Sequence, residues 1–162
     1  MNVQWINQQP HGLRCGPSPY ACFGVNFQPT NNDRFYQNCT ADFQCAFATF
    51  DCPLNADCII ECLGDFACEY ATIHAPIDHE LVVECDTQSC HGLKVDARSS
   101  SFFTFTANDD CCDGVSLHLP ANDQGSAITA LYIDPFKNEL MTFYAVNGWN
   151  DADFFFNSYF AD

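Results

Sequence analysis

The sequence predicts an all-β chain, a right-handed parallel β-helix (β-solenoid) of about 22–23 residues per coil, stapled by disulfides at one corner. Cys22, Cys45, Cys68, Cys90 and Cys112 recur at that interval, and each opens a similar nine-residue phrase: CFGVNFQPT, CAFATFDCP, CEYATIHAP, CHGLKVDAR and CDGVSLHLP. Within each phrase, apolar or small residues alternate with mostly polar ones. Five phrases share this offset without a gap, so their strands must stack in register.

The first strand of each coil follows its anchor cysteine. Its inward set is expected to be Val25/Phe27/Pro29, Ala48/Phe50/Cys52, Ala71/Ile73/Ala75, Leu93/Val95/Ala97 and Val115/Leu117/Leu119. A second strand precedes each anchor: Phe35 to Cys39, Cys58 to Cys62, Leu81 to Cys85, and a version without cysteine at Leu131 to Asp134. Here Phe35/Gln37, Cys58/Ile60, Leu81/Val83 and Leu131/Ile133 are expected inside. Asn38, Glu61, Glu84 and Asp134 form an outer column, acidic apart from Asn38. The links between the two strands are short and rich in small or acidic residues, as turns are.

A leucine-rich repeat has a similar period, but its leucine frame is absent and no segment carries a helical apolar stripe. A disulfide-rich sandwich does not explain the ungapped alignment. The crossover rule favours right-handed winding.

The pairs Cys15/Cys22, Cys39/Cys45, Cys62/Cys68 and Cys85/Cys90 bracket the same turn in successive coils, so each is expected to close its own corner. A ladder between coils is the rival, but in-register parallel strands hold Cβ atoms about 4.8 Å apart, wider than a disulfide prefers. Cys52 and Cys58 both point inward and would make a fifth bridge. The adjacent Cys111 and Cys112 stand where a spaced pair is expected, leaving open a vicinal disulfide, a free thiol or an intermolecular bond. Tyr20, Phe43 and Phe66, each two places before an anchor, are expected to stack along the corner.

A chain of 162 residues with 48% hydrophobic content can form one domain with a continuous core. Twelve cysteines without paired zinc-type motifs read as disulfides and imply an oxidising, extracellular or secreted setting. The net charge of −16 repels phosphate backbones and anionic lipid surfaces, which argues against nucleic-acid partners. No stretch is apolar enough to insert in a membrane. The first residues, MNVQWINQQPHG, carry no signal-like h-region, the expectation for a mature chain or a piece of a longer one. Asn38-Cys39-Thr40 is a glycosylation sequon on an outward position.

The whole chain reads as a single solenoid domain: an N-terminal strand or cap over 1–14, regular coils over 15–134, and an irregular last coil over 135–162. Met141/Phe143/Ala145 offer one further inward set. Trp149, Phe154, Phe155, Phe156, Tyr159 and Phe160 cluster near the end, as a cap over the core or an assembly interface.

The sixth residue after each anchor gives an outward column: Gln28, Asp51, His74, Asp96 and His118. The simplest reading is a solvent-facing ladder of ion pairs, with a weak zinc or copper site at His74/Asp96/His118 as the functional rival. Asn31-Asn32-Asp33, Asn108-Asp109-Asp110 and Asp151-Ala152-Asp153 are turn-like acidic clusters, better explained as solvated turns than as calcium sites. Lys94, Asp96 and Arg98 share an outer face beside His74 and His118, the best enzyme candidate in the chain. The ordered motif series of polygalacturonases is absent, and so is any nucleophile triad, phosphate loop or dinucleotide fingerprint.

The phrase Glu-Cys-x(5)-Cys-x-x-Ala-x-Ile over residues 61 to 73, echoed at 84 to 95, resembles the cysteine-stapled β-helix repeats of large extracellular proteins of algae and other protists. The resemblance spans residues 15 to 120. It implies a right-handed solenoid in a structural or adhesive setting, and brings no catalytic residues. The expected function is a non-catalytic module of a secreted filament, coat or adhesin, without cofactor or metal, which joins others end to end or continues in a larger chain. A glycan-binding or polysaccharide-active β-helix is the alternative.

Overall fold

The computed structural model describes residues 15–29, 33–107, 111 and 114–118, and the backbone alone of four strands beyond them. Two parallel sheets face each other across one core, in a β-solenoid of about 4 turns. The first sheet stacks β1 (Asn26–Phe27), β3 (Thr49–Asp51), β5 (Thr72–His74), β7 (Lys94–Asp96) and β9 (Val115–His118). The second stacks β2 (Phe35–Cys39), β4 (Cys58–Cys62), β6 (Glu80–Cys85) and β8 (Phe102–Ala107), followed by the two-residue β10 (Ile128–Thr129).

Register follows from the alternation. Phe27 pairs with Phe50, Phe50 with Ile73, Ile73 with Val95 and Val95 with Leu117, so one buried column runs the length of the stack. Phe27 and Phe50 stack face to face at 4.6 Å. On the opposite sheet the buried columns are Phe35/Cys58/Leu81/Phe103 and Gln37/Ile60/Val83/Phe105. A one-residue slip would expose every one of these side chains, each contributing about 1.5–3 kcal/mol if apolar and fully buried.

Two assignments change. The second strand of the fourth coil is Phe102–Ala107, whose Phe103, Phe105 and Ala107 continue the inner columns, with Ala107 paired to Cys85. The next strand in that sheet is Ile128–Thr129, paired with Phe103 and Thr104. Leu131–Tyr132 (β11) instead forms a separate antiparallel pair with Leu140–Met141 (β12). The coil length explains it: Phe103 follows its partner Leu81 by 22 residues and Ile128 follows Phe103 by 25, so Leu131 lies past the place where the ladder can accept it. Thr106, paired with Glu84, therefore occupies the outer position expected for Asp134. Asp134, Ile133, Leu119, Phe143 and Ala145 lie outside the described residues.

Five disulfides close their own coils: Cys15–Cys22, Cys39–Cys45, Cys52–Cys58, Cys62–Cys68 and Cys85–Cys90. None of them joins one coil to the next. Cys111 is also disulfide-bonded; Cys112 lies outside the described residues. Each closed loop is short, so each bridge stabilises by about 2 kcal/mol in the chain-entropy account.

Candidate functional site

The corner between the two strands is a built surface, formed by three overlapping turns in each of the first three coils. In the second coil, the Gln44, Ala46 and Ala48 N–H groups donate to the carbonyls of Ala41, Phe43 and Cys45. The third residues of these turns, Phe43, Cys45 and Phe47, have φ of 57°, 62° and 59°. Their counterparts Phe66, Cys68 and Tyr70 repeat the pattern at 60°, 57° and 54°. Such left-handed conformations are uncommon outside glycine and turn the chain tightly. At the last of the three positions Gly24, Gly92 and Gly114 stand in the other coils, also with positive φ.

Backbone hydrogen bonds continue from coil to coil through this arc. Tyr20, Phe43 and Phe66 N–H donate to the carbonyls of Asp42, Asp65 and Gln88, and Cys45, Cys68 and Cys90 N–H to those of Ala21, Gln44 and Ala67. Side chains reinforce the arc. Tyr20 stacks on Phe43 at 4.8 Å, and Phe43 on Phe66 at 4.9 Å. A second aromatic column, which sequence analysis does not flag, runs Phe23/Phe47/Tyr70 with ring separations of 5.3 and 5.3 Å. Inside the arc the buried Gln44 accepts from the Thr40 and Ala41 N–H groups and donates to the Gly16 carbonyl.

The outer face of the first sheet holds the Asp51/His74/Asp96/His118 column in register. Gln28 donates to Asp51 at 3.1 Å, and His74 Nδ1 lies 2.6 Å from Asp51 Oδ1. Arg98 grips both oxygens of Asp96 at 2.9 Å each. That fork, opposed in part by burial, holds the Asp96 carboxyl below its ordinary range. Among the described residues, no three His, Cys, Asp or Glu side chains converge as a metal site. His74 thus turns to Asp51 and Asp96 to Arg98. Asp33 is described, whereas Asn31, Asn32, Asn108, Asp109, Asp110 and Asp151 lie outside the described residues.

On the second sheet Asn38, Glu61, Glu84 and Thr106 form the outer column. Asn38 is exposed, and its amide donates to the Tyr36 hydroxyl at 3.4 Å. Tyr36 donates to Glu61, and that bond to a carboxylate raises the phenol's pKa. Beside this column runs another, Tyr36/Ile59/Val82/Thr104, so the face is part apolar.

At the C-terminal end, Asp153–Phe156 (β13) pairs antiparallel with β9, opposing Asp153 to His118, Phe154 to Leu117, Phe155 to Ser116 and Phe156 to Val115. This strand covers the last parallel edge of the first sheet and becomes its new edge. Trp149, Tyr159 and Phe160 lie outside the described residues. Comparison with known proteins finds no matching family model, no matching curated protein and no matching solved structure.

Proposed function

We propose that the chain is a non-catalytic structural module of a secreted filament, coat or adhesin, joined end to end with its neighbours. The observation that carries this reading is axial continuity. Strand, corner and strand all repeat the same hydrogen-bonding pattern from one coil to the next, so each coil is a template for another. Among the described residues, the outer edges of β1, β2 and β13 pair with no further strand. Edges left unpaired among the described residues suit head-to-tail addition, which closes on no symmetry axis and yields filaments. The disulfides favour an oxidising, extracellular setting. The sequence resemblance to stapled solenoids of large protist proteins supports the same assignment.

Catalysis on acidic polysaccharides is the weaker reading. Asp96 is forked by Arg98 and held ionised, which unfits it as a proton donor, and Lys94 stands exposed beside it. Electron microscopy of the native material tests the proposal: fibres or a continuous coat are expected. Depolymerisation of uronic-acid polymers that is lost in Lys94→Ala or Arg98→Ala would replace it with the enzymatic reading.

A further inference from the structure

The solenoid's corner leaves apolar rings in solvent although rings of neighbouring coils pack against them. Tyr20, Phe47 and Tyr70 remain 56%, 51% and 57% exposed. Two parallel ring columns, Tyr20/Phe43/Phe66 and Phe23/Phe47/Tyr70, therefore make a ribbon across three coils. The sides of the solenoid are not uniformly charged.

The arrangement of the rings narrows what the ribbon can hold. Sugars and flat ligands stack on free aromatic faces, but Phe43 is stacked on both sides, by Tyr20 and by Phe66, and Phe47 is stacked on Tyr70 with Phe23 tilted against its other side. Tyr70's far side rests on Gly92, where an added Cβ would stand 2.5 Å from the ring carbons. What faces outward is a row of ring edges, suited to aliphatic groups laid across them.

The charge around the ribbon selects the rest. Asp42 and Asp65 are exposed immediately before Phe43 and Phe66, and Glu69 immediately precedes Tyr70. No Lys or Arg forms a salt bridge with these carboxylates among the described residues. Between residues 15 and 93 the one Lys or Arg is Arg34, which precedes β2 at the end of that strand away from the corner. A second copy docked through this same corner would set Asp42, Asp65 and Glu69 against their own counterparts, so it is disfavoured as the occupant of this face.

We propose that this corner is a docking surface for a lysine- and arginine-bearing polypeptide segment, whose aliphatic stems lie across the ring edges and whose cationic heads meet Asp42, Asp65 and Glu69. Long basic side chains bury their methylenes on apolar surface while the charge stays in solvent, and this ribbon supplies both halves of that contact. The inference concerns the side of the solenoid and stands apart from assembly at its ends.

The test is titration of the intact, oxidised protein with two synthetic peptides of equal charge, one alternating lysine and leucine, the other alternating lysine and glycine. In Phe47→Gly/Tyr70→Gly the rings are removed at positions where other coils carry glycine, so the backbone is retained; unchanged circular dichroism and disulfide mapping verify this. This variant is expected to weaken the lysine–leucine peptide about tenfold, or about 1.4 kcal/mol, and to leave the lysine–glycine peptide nearly unchanged. Asp42→Asn/Asp65→Asn should weaken both peptides more than Glu61→Gln/Glu84→Gln, which removes the same charge from another face. Equal losses in the two charge variants, or full affinity after ring removal, would overturn the proposal.

Discussion

Glu84 is the register partner of Glu61, one strand further along the second sheet, and the negative charge of Glu61 opposes the ionisation of Glu84. Partial burial raises the Glu84 pKa first, and the negative charges of Glu61 and Asp86 raise it further. A carboxyl whose pKa is higher folded than unfolded binds its proton more tightly in the fold. Stability therefore declines as pH rises from the ordinary value of 4.5 through the folded one, and the penalty is complete above the folded value. Asp96 has the opposite sign. Its lowered pKa contributes stability above the ordinary 3.8 that is lost as pH falls through the folded value.

Thermal melts across pH should separate the two. Glu84→Gln is expected to raise the melting temperature near neutrality, with the gain vanishing below the ordinary carboxylate range. Asp96→Asn is expected to lower it near neutrality, with the loss vanishing in acid. A gain from Glu84→Gln that persists unchanged in acid would refute the electrostatic explanation.

Gly64 marks a close approach of neighbouring coils. A Cβ there would lie 2.4 Å from the Ala41 carbonyl oxygen and 2.9 Å from the Thr40 carbonyl carbon. Both obstacles are backbone, so the coils must separate locally. Gly64→Ala should cost about 1–3 kcal/mol in denaturant unfolding, as overpacking does. An unchanged midpoint would show that the corner yields freely.

Gln88 sits where Tyr20, Phe43 and Phe66 stand in other coils, with φ of 59° and an exposed side chain. It keeps the left-handed backbone without extending the ring stack; Phe66 meets His91 instead, at 5.8 Å. Relief of left-handed strain, roughly 1–2 kcal/mol, outweighs the roughly 0.5–1 kcal/mol entropy cost of glycine. Gln88→Gly should stabilise by about 0.5–1 kcal/mol; a lower unfolding midpoint would contradict this account of the arc.

The inner columns were legible because period-two alternation and anchor spacing both bear on them. Phe50, Ile73 and Val95 are buried where expected, and Tyr20, Phe43 and Phe66 form the expected stack. The second strand of the fourth coil was harder to locate because Ala107 stands where Cys39, Cys62 and Cys85 end the earlier ones. Its alternating Phe102-Phe103-Thr104-Phe105-Thr106-Ala107 was nevertheless present in the sequence. The second aromatic column was concealed by backbone geometry. Phe47 and Tyr70 occupy left-handed positions that only Gly24, Gly92 and Gly114 advertise, and aromatic propensity alone points away from such a conformation. The outer columns were legible as positions, but not as chemistry. Whether Asp96 faces a metal or an arginine depends on side-chain torsions that spacing does not encode.

End-to-end assembly is tested most directly by sedimentation velocity of the oxidised protein over a wide concentration range, beside a chain ending at residue 148. The intact protein is expected to form concentration-dependent axial polymers. The shortened chain, which lacks the β13 strand and the terminal aromatics, should stay monomeric with all five mapped bridges and its β spectrum intact. An intact protein that remains monomeric at every concentration, together with a shortened chain that unfolds, would contradict assembly and leave the terminal segment as a cap alone.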